Sequence, residues 1–388
     1  MTELTTTTID GVSKLSADDW DRLVGSASPF LEHGFLHTLE ATGCLDPASG
    51  WTPKIIVAHR DDHLVGAVPF YLKDHSQGEF VFDFGWANAS HRIGRPYYPK
   101  AVVAVPFTPV VGCRILVDDS EENADDIAQQ LVDEALDLAD ELELSSVHFN
   151  FIRPDERSLF EKRGLPIRLG FQYHWYNDDG TDEGNRYEDF DHFLSRFRSK
   201  KRSNIRRERR KLGQTGVTTQ VVTAEKLTDA DMHRMYRYYL DTVHKYFYGR
   251  QYLTEEFFLA IRHNLTDRLH TVFAHDEQDQ PFAGAFNLMK NRRLYGRYWG
   301  CDREVKYAHF EACIYRPVEW CIQQGFDVFE PGAGGEHKFD RGFEPTPTYS
   351  AHYIRDVALR RAVEDFIDRE RPLIRDEIAQ LRDDSPFK

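Results

Sequence analysis

The densest run of chemically capable residues lies between Glu330 and Tyr349, in the sequence EPGAGGEHKFDRGFEPTPTY. Gly332, Gly334 and Gly335 offer unhindered backbone amides that can form an anion nest. Glu336, His337, Lys338 and Arg341 follow directly, placing a candidate base and three cations within six residues of one turn. Taken alone, a glycine-rich turn with charges is most often only a turn, and each charge is half of a structural ion pair. Other stretches mix polar and aromatic residues in a way that suits a site better than a plain core. In the first half they are Tyr71–Phe82 (YLKDHSQGEFVF), Arg95–Lys100 (RPYYPK) and Pro106–Arg114 (PFTPVVGCR). In the second half they are Tyr295–Gly300 and His309–Glu311.

Charge marks a further region. The chain carries −15 overall, yet ten Lys or Arg stand against Glu208 alone between Arg196 and Lys211. Arg198, Lys200, Lys201, Arg202, Arg206, Arg207, Arg209 and Arg210 form a basic island on an acidic body. An island implies an anionic partner, tRNA or another polyanion, or else an acidic surface within the same fold. His33, His37 and Glu40 have helical ligand spacing, but a metal needs further convergent ligands and packing histidines are commoner, so no metal site is expected. There is no Gly-x-Ser-x-Gly elbow, Walker loop or Rossmann fingerprint.

Regular elements must position these residues. Helices are predicted at 16–25 and 33–42, strands at 54–60 and 64–72 around Asp61-Asp62, and a third strand at 101–107. Ile127, Leu131, Ala135, Leu138 and Leu142 repeat at helical spacing and predict a helix over 124–142. A strand at 145–152, a helix at 155–163 and a strand near 168–175 complete this half. In the second half a basic helix spans 188–212, and helices follow at 229–245 and 254–263. A hairpin of 269–276 and 281–290, a strand at 293–300, a helix at 309–324 and a strand at 326–330 come next. Pro317 removes the bond to the Cys313 carbonyl and should kink its helix. Strand–strand–strand–helix–strand–helix thus occurs twice, which predicts two mixed-sheet α/β domains. The polar stretch 177–187 is the expected boundary, giving domains 1–180 and 181–388.

Length and composition agree. With 388 residues, 41% apolar and 29% charged, the chain is globular and suits two cores better than one. The cysteines (Cys44, Cys113, Cys301, Cys313, Cys321) are odd in number and lack any Cys-x-x-Cys pair, which argues against disulfide frameworks and zinc ribbons. The start, MTELTTTTIDG, has neither a basic region nor an apolar core, and no apolar run has membrane-spanning length. A cytoplasmic protein is expected.

KDHSQGEFVFDFGW from Lys73, YYPK at 97–100, PFTPVVG at 106–112 and QYHW at 172–175 resemble the FemAB-like, peptidoglycan-biosynthesis-type N-acyltransferase family. So do KKRSNIRRERR, LYGRYWG, HFEACIY, GAGGEHKFDRGF and TYSAH, and together these blocks span roughly residues 28–370. The resemblance implies tandem GNAT-like domains that move an aminoacyl or acyl group onto an amine of a small molecule or precursor. It also implies that the acyl donor lies where two parallel strands splay, here 293–300 and 326–330. That puts Arg297, Trp299, Glu330 and the Gly332–Arg341 turn at one cleft, with Lys73, His75, Tyr97, Tyr98 and Lys100 as further substrate-binding residues. Aminolysis of an activated ester needs a neutral amine, an oxyanion donor and close approach. Glu336 or His337 is then the base, and Lys338 or Arg341 holds a phosphate or carboxylate of the donor. An acyl-CoA enzyme of this class carries a glycine-bearing pyrophosphate loop after the first splayed strand, whereas CDREVKYAHFE contains no glycine. That departure favours another donor, such as aminoacyl-tRNA, acting as co-substrate with no tightly bound cofactor. The alternatives are an acyl-CoA or acyl-carrier-protein enzyme, and a non-enzymatic module for an anionic partner.

Overall fold

The computed structural model describes residues 4–181, 184–245 and 249–388. They form two compact units, Met1–Phe171 with Pro347–Glu377, and Gln172–Thr346 with Ile378–Lys388. The division expected at residue 180 falls instead at Phe171–Gln172, within a strand, and each unit takes back a C-terminal piece. Strand Glu344–Ile354 and helix Val357–Asp383 carry those pieces, and neither is among the predicted elements.

In chain order the first elements are β1 (Leu4–Ile9), α1 (Ala17–Val24), α2 (His33–Ala41), β2 (Trp51–Pro53), β3 (Ile55–Arg60), β4 (His63–Val68) and β5 (Phe70–Lys73). Next come α3 (Phe84–Arg92), β6 (Lys100–Val103), β7 (Leu116–Val117), α4 (Ala124–Glu141), β8 (Ser146–Ile152), α5 (Arg157–Glu161) and β9 (Ile167–Tyr176). The run continues with α6 (Phe190–Arg196), α7 (Ser199–Gly213), β10 (Thr218–Thr223), α8 (Asp229–Lys245), α9 (Glu255–Asn264), β11 (Leu269–His275), β12 (Pro281–Lys290) and β13 (Arg293–Cys301). It closes with α10 (Ala308–Phe310), a π-helical turn (Glu311–Tyr315), α11 (Arg316–Gln324), β14 (Val328–Glu330), β15 (Glu344–Ile354) and α12 (Val357–Asp383).

In the first unit, β1, β3, β4 and β7 form an antiparallel sheet. The single strand expected at 64–72 breaks at Pro69, which has no N–H for a ladder. Its second half, β5, pairs antiparallel with β2 and β6, and β6 runs parallel to β8 from Ala101↔Val147 to Val103↔Phe149. Helix α4 packs Ile127, Leu131, Val132 and Ala135 into the main core with Val147 and Phe149 of β8. Glu40 accepts hydrogen bonds from the backbone of Val12 (2.8 Å) and Ser13 (3.1 Å), and His33 and His37 stack on each other at 5.3 Å.

In the second unit, β10 to β13 form an antiparallel meander, and β13 then runs parallel to β14. The basic helix expected over 188–212 is two helices. Phe197 leaves the helix in an extended conformation and buries its ring against Phe193 (5.0 Å) and Phe387 (4.8 Å). The kink expected from Pro317 is the π-helical turn, which covers Cys313, the residue whose α-helical partner proline removes. Both units therefore share one order: strand, two helices, antiparallel strands, helix, parallel strand. These are two tandem GNAT-like α/β units. Among the described residues, no helix is long and apolar enough to cross a membrane.

Candidate active site

The parallel pairing of β13 with β14 lasts only from Arg293↔Val328 to Tyr295↔Glu330. Beyond it the strands part, and two features of β13 shape the opening. The register against β12 jumps from Phe286↔Tyr298 to Asn287↔Gly296, so Arg297 is the extra residue of a bulge, a device that re-aims side chains. At Gly300 an added Cβ would lie 1.7 Å from the Tyr238 carbonyl oxygen, so only glycine lets α8 lie this close. A cavity of about 480 Å³ occupies the opening. Its wall comprises Gly296 to Trp299 of β13, Asn287 of β12, Tyr239 and Thr242 of α8, and His309, Cys313 and Ile314 of the helical segment. Pro331, Ala333, Gly334, Gly335, His337 and Lys338 close it from the other side.

The glycine turn is built for this place. Gly332, Gly334 and Gly335 have φ of +85°, +68° and +84°, the left-handed region that favours glycine. Lys338 locks the turn from below: its Nζ donates to the carbonyls of Gly332 (2.7 Å), Pro331 (3.3 Å) and Ala333 (3.4 Å). Burial pushes this lysine down to about 8.

His337 packs its ring against His309 and Phe310, each with centroids 5.5 Å away. Burial, and then the cations of Arg341 and Lys338, hold it below the usual histidine value. Burial, reinforced by His337, Lys338 and Arg341, takes His309 down to about 4. Two imidazoles, both neutral at pH 7, therefore face the cavity, and among the described residues the buried Nε2 of His337 has no hydrogen-bond partner.

The other residues of the sequence-derived site fall elsewhere. Glu336 is exposed and is not part of the cavity wall. Arg341 is buried behind it: it donates to the His337 carbonyl (2.8 Å), the Tyr315 hydroxyl (2.8 Å) and the Glu208 carboxylate (2.9 Å), and lies 3.5 Å over the Phe310 ring. It thus braces His337 and does not face the cavity. Glu330 is buried, accepts from Arg293 at 2.9 Å and has its other oxygen 3.8 Å from Nε2 of His174. Burial raises Glu330 to about 7, with Arg293 opposing, and takes His174 down to about 3. Arg297, Trp299, Gly334, Gly335, His337 and Lys338 are the predicted residues that meet at the cavity. Lys73, His75, Tyr97, Tyr98 and Lys100 belong to the first unit, whereas the cavity wall is drawn wholly from the second.

Sequence reasoning singled out the His309–Glu311 stretch without giving His309 a role, and missed Asn287 as a polar wall residue. Both had a signal: His309 opens the HFE block, and Asn287 interrupts the apolar run of β12. Asn287 is held by His270, whose Nδ1 lies 3.0 Å from its amide nitrogen.

The basic island divides in two. Arg209 points inward, making paired contacts to Glu311 (2.8 Å) and Glu319 (3.0 Å). Lys201 pairs with Asp340, and Arg206 with Asp191 at 3.0 Å. Arg198 and Arg202 donate to the carbonyls of Phe387 (3.0 Å) and Ser195 (3.3 Å). Lys200, Arg207, Arg210 and Lys211 are exposed, and among the described residues no carboxylate lies within ion-pair distance of them.

Two mixed sheets in tandem, one of them splayed at its parallel pair with a bulge and a glycine turn at the opening, define a GNAT-like α/β fold. The sequence profile of one family, described as peptidoglycan biosynthesis/recognition, matches residues 11–388, and the chain belongs to this FemAB-like family. Among solved structures it is similar to FemX, at 12% identity and a TM-score of 0.54, over 93% of this chain and 100% of that one. It is also similar to the C-terminal domain of a putative lysylphosphatidylglycerol synthetase from Agrobacterium fabrum, at 13% identity and a TM-score of 0.53, over 90% and 95%. L-PGS from Bacillus licheniformis matches at 12% identity and a TM-score of 0.50, over 85% and 95%. No curated protein matches the chain in sequence.

Proposed function

We propose that the chain is an N-acyltransferase that moves an aminoacyl or acyl group from an activated ester onto an amine in the opening between β13 and β14. The observation that carries this reading is a pair of neutral imidazoles, His337 and His309, beside the Gly332–Gly335 turn in that opening. The donor carbonyl sits in the gap, the amine nitrogen attacks it, and the new C–N bond forms as the C–O bond to the leaving group breaks. His337 takes the proton that the amine loses and passes it to the leaving oxygen, which departs as a hydroxyl, and backbone amides of the glycine turn face the developing oxyanion. Arg341 holds His337 in place through its carbonyl, and Lys338 holds the turn.

An aminoacyl-tRNA suits the donor role. The segment after β13 has no glycine to cradle a pyrophosphate, and the exposed cations of α7 supply a polyanion surface. The family description supports a cell-wall-type precursor amine as acceptor, and the name lysylphosphatidylglycerol synthetase on a structural neighbour supports an aminoacyl group as the one moved. A tRNA donor would place the reaction in the cytoplasm, with the donor as co-substrate and no resident cofactor. One observation favours a second reading, an acyl-CoA or acyl-carrier donor. A cavity of about 670 Å³, lined by the cations Lys245, Arg303 and Lys306 and by the carboxylates Asp241, Asp302 and Glu304, shares Thr242, Trp299 and His309 with the first, giving room for a longer arm.

Incubation with charged tRNA, acyl-CoA or acyl-carrier protein and a panel of amines, read by mass spectrometry, tests both. The expected product is an acyl-amine from charged tRNA; product from acyl-CoA alone would select the second reading. Absence of product with every donor, or product undiminished in a His337→Ala/His309→Ala double variant, overturns the assignment.

A further inference from the structure

The first unit contains a group of titratable residues that the reaction above does not use. Its loop Asp74–Asp83 has no regular secondary structure, yet buries Glu79 and Asp83 to 3% exposure each. Lys100, at the start of β6, lies between them. Its ammonium has three N–H donors, and all are taken: Asp83 at 2.5 Å, Glu79 at 2.8 Å and the Ser76 hydroxyl at 2.9 Å. Tyr97 donates to the same Asp83 oxygen at 2.6 Å. The second oxygen of each carboxylate, Oε1 of Glu79 and Oδ1 of Asp83, is buried and has no hydrogen-bond partner among the described residues.

Hydrogen bonding is incomplete here. Two buried carboxylates share the donors of one lysine, which leaves two strong acceptors empty, an expensive arrangement inside a protein. Lys73 acts on Glu79 through its charge but does not fill the gap, because its Nζ donates to the carbonyls of Gly50 (3.0 Å) and Gln77 (3.1 Å) and rests on the Trp51 ring at 3.9 Å. His148 does not fill it either, since its Nε2 is turned to the hydroxyls of Tyr97 (3.2 Å) and Ser146 (2.9 Å). Burial pushes Glu79 up to about 7 against the pull of Lys100.

The loop also carries marks of a ligand clamp. Phe80 has φ +60°, a strained conformation for an aromatic residue, and such strain clusters at binding sites. Phe82 and Phe84 on either side of Asp83 are 65% and 48% exposed and stack on each other at 6.0 Å, an aromatic rim that folding alone does not require.

We propose that this loop and Lys100 form a binding site for a ligand bearing a primary ammonium group. The ammonium completes the hydrogen bonding of Glu79 and Asp83, and the carbon skeleton packs on Phe82 and Phe84. Binding displaces the loop enough to admit the group. Naming this ligand as the acceptor of the transfer would rest on the proposed function, but the site does not, because its test contains no acyl donor and succeeds or fails independently of catalysis.

Titration calorimetry of the full chain with 1,3-diaminopropane, against the neutral 1,3-propanediol, supplies the test. Saturable heat is expected for the diamine, at a dissociation constant of about 1 mM or below for so small a ligand, and none for the diol. Glu79→Gln and Asp83→Asn should each weaken the diamine about tenfold or more through loss of a charge-assisted bond. Should either fail to fold, Phe82→Ala changes an exposed side chain, should leave the melting temperature unchanged, and should still weaken binding several-fold. Equal behaviour of diamine and diol, or diamine binding unchanged in every variant that folds, overturns the proposal.

Discussion

His337 and Glu336 are neighbours in sequence with opposite surroundings. A base must reach the reacting amine and be unprotonated when it does so; His337 lines the cavity and is held below the usual histidine value, while Glu336 faces solvent. His337→Ala is expected to lower kcat by about 10²-fold or more, whereas Glu336→Gln should leave it within a few-fold; steady-state kinetics on both variants checks this. The pH profile follows from the same surroundings. His337 titrates below its ordinary 6.5, so kcat/KM should hold through neutrality and fall only on further acidification, as the ring gains a proton. Lys338 loses its proton near 8, and with it the charge that ties down the glycine turn, so a second decline is expected above that pH. Lys338→Arg keeps its charge at any working pH, and should remove the alkaline decline while sparing the acidic one. An unchanged alkaline limb in that variant would dissociate Lys338 from the site. The glycine turn and its cations were legible as a group from residue type and spacing. Which charge faces the cavity was not, because Lys338 turns back to carbonyls of its own loop and Arg341 pairs with Glu208, more than a hundred positions away.

Elements follow their sequence signals where the signal is periodic and lose them where one residue overrides the pattern. The β11–β12 hairpin and α4 form where alternation and helical spacing predict them. Pro69, Phe197 and Pro317 each divide an element that reads as continuous. Helix α3 (FGWANASHR) escapes prediction because its few apolar residues give no stripe, and β1 (LTTTTI) because threonine reads as polar although its branched side chain favours strands. Charge on α7 likewise needs the neighbouring elements before it can be sorted. Arg209→Glu would set a new carboxylate against Glu311 and Glu319, and breaking such a partly buried pair costs about 3–5 kcal/mol. Its melting temperature should drop by several degrees. Reversing Lys200, Arg207, Arg210 and Lys211 together should leave the melting temperature nearly unchanged and abolish retention of tRNA, and wild-type retention should weaken steeply with salt. Thermal unfolding and filter retention across a salt series separate the two roles. Wild-type retention insensitive to salt would leave α7 a purely structural helix. Gly300→Ala is a sharper probe of packing, because the new methyl would overlap the Tyr238 carbonyl and push α8 off β13. Transfer should be lost even where the rest of the unit stays folded, as judged by circular dichroism.

At the scale of the whole molecule the two units repeat one topology but not one chemistry. In each, a strand preceding a helix runs parallel to the strand that follows it, β6 with β8 and β13 with β14. The repeat was legible from element order, but which copy stays open depends on hydrogen bonds that no pattern reports. In the second unit the strands part after Glu330 and a cavity fills the gap. In the first unit the segment after β6 turns back and occupies the backbone of β8: Gly112 donates to the Phe151 carbonyl at 3.0 Å, and Arg114 donates to the Asn150 carbonyl at 2.6 Å. Arg114 is wholly buried, and its remaining donors reach Val110 (2.7 Å) and Cys113 (3.1 Å), so the loop is fastened to itself as well as to the strand. Glu156 accepts the backbone N–H of Arg114 at 2.8 Å and completes the closure. An acyl group cannot enter a gap whose edge carbonyls already serve a buried guanidinium, since displacing it would strand a charge in the core. One donor per chain is therefore expected, although the chain holds two copies of the fold. Titration with a non-hydrolysable amide analogue of the aminoacyl-tRNA should saturate at one equivalent. Gly334→Val, which forces a branched side chain into a left-handed turn at the cavity, should abolish that binding. Two equivalents, or saturation undisturbed by Gly334→Val, would show that the first unit also accepts a donor.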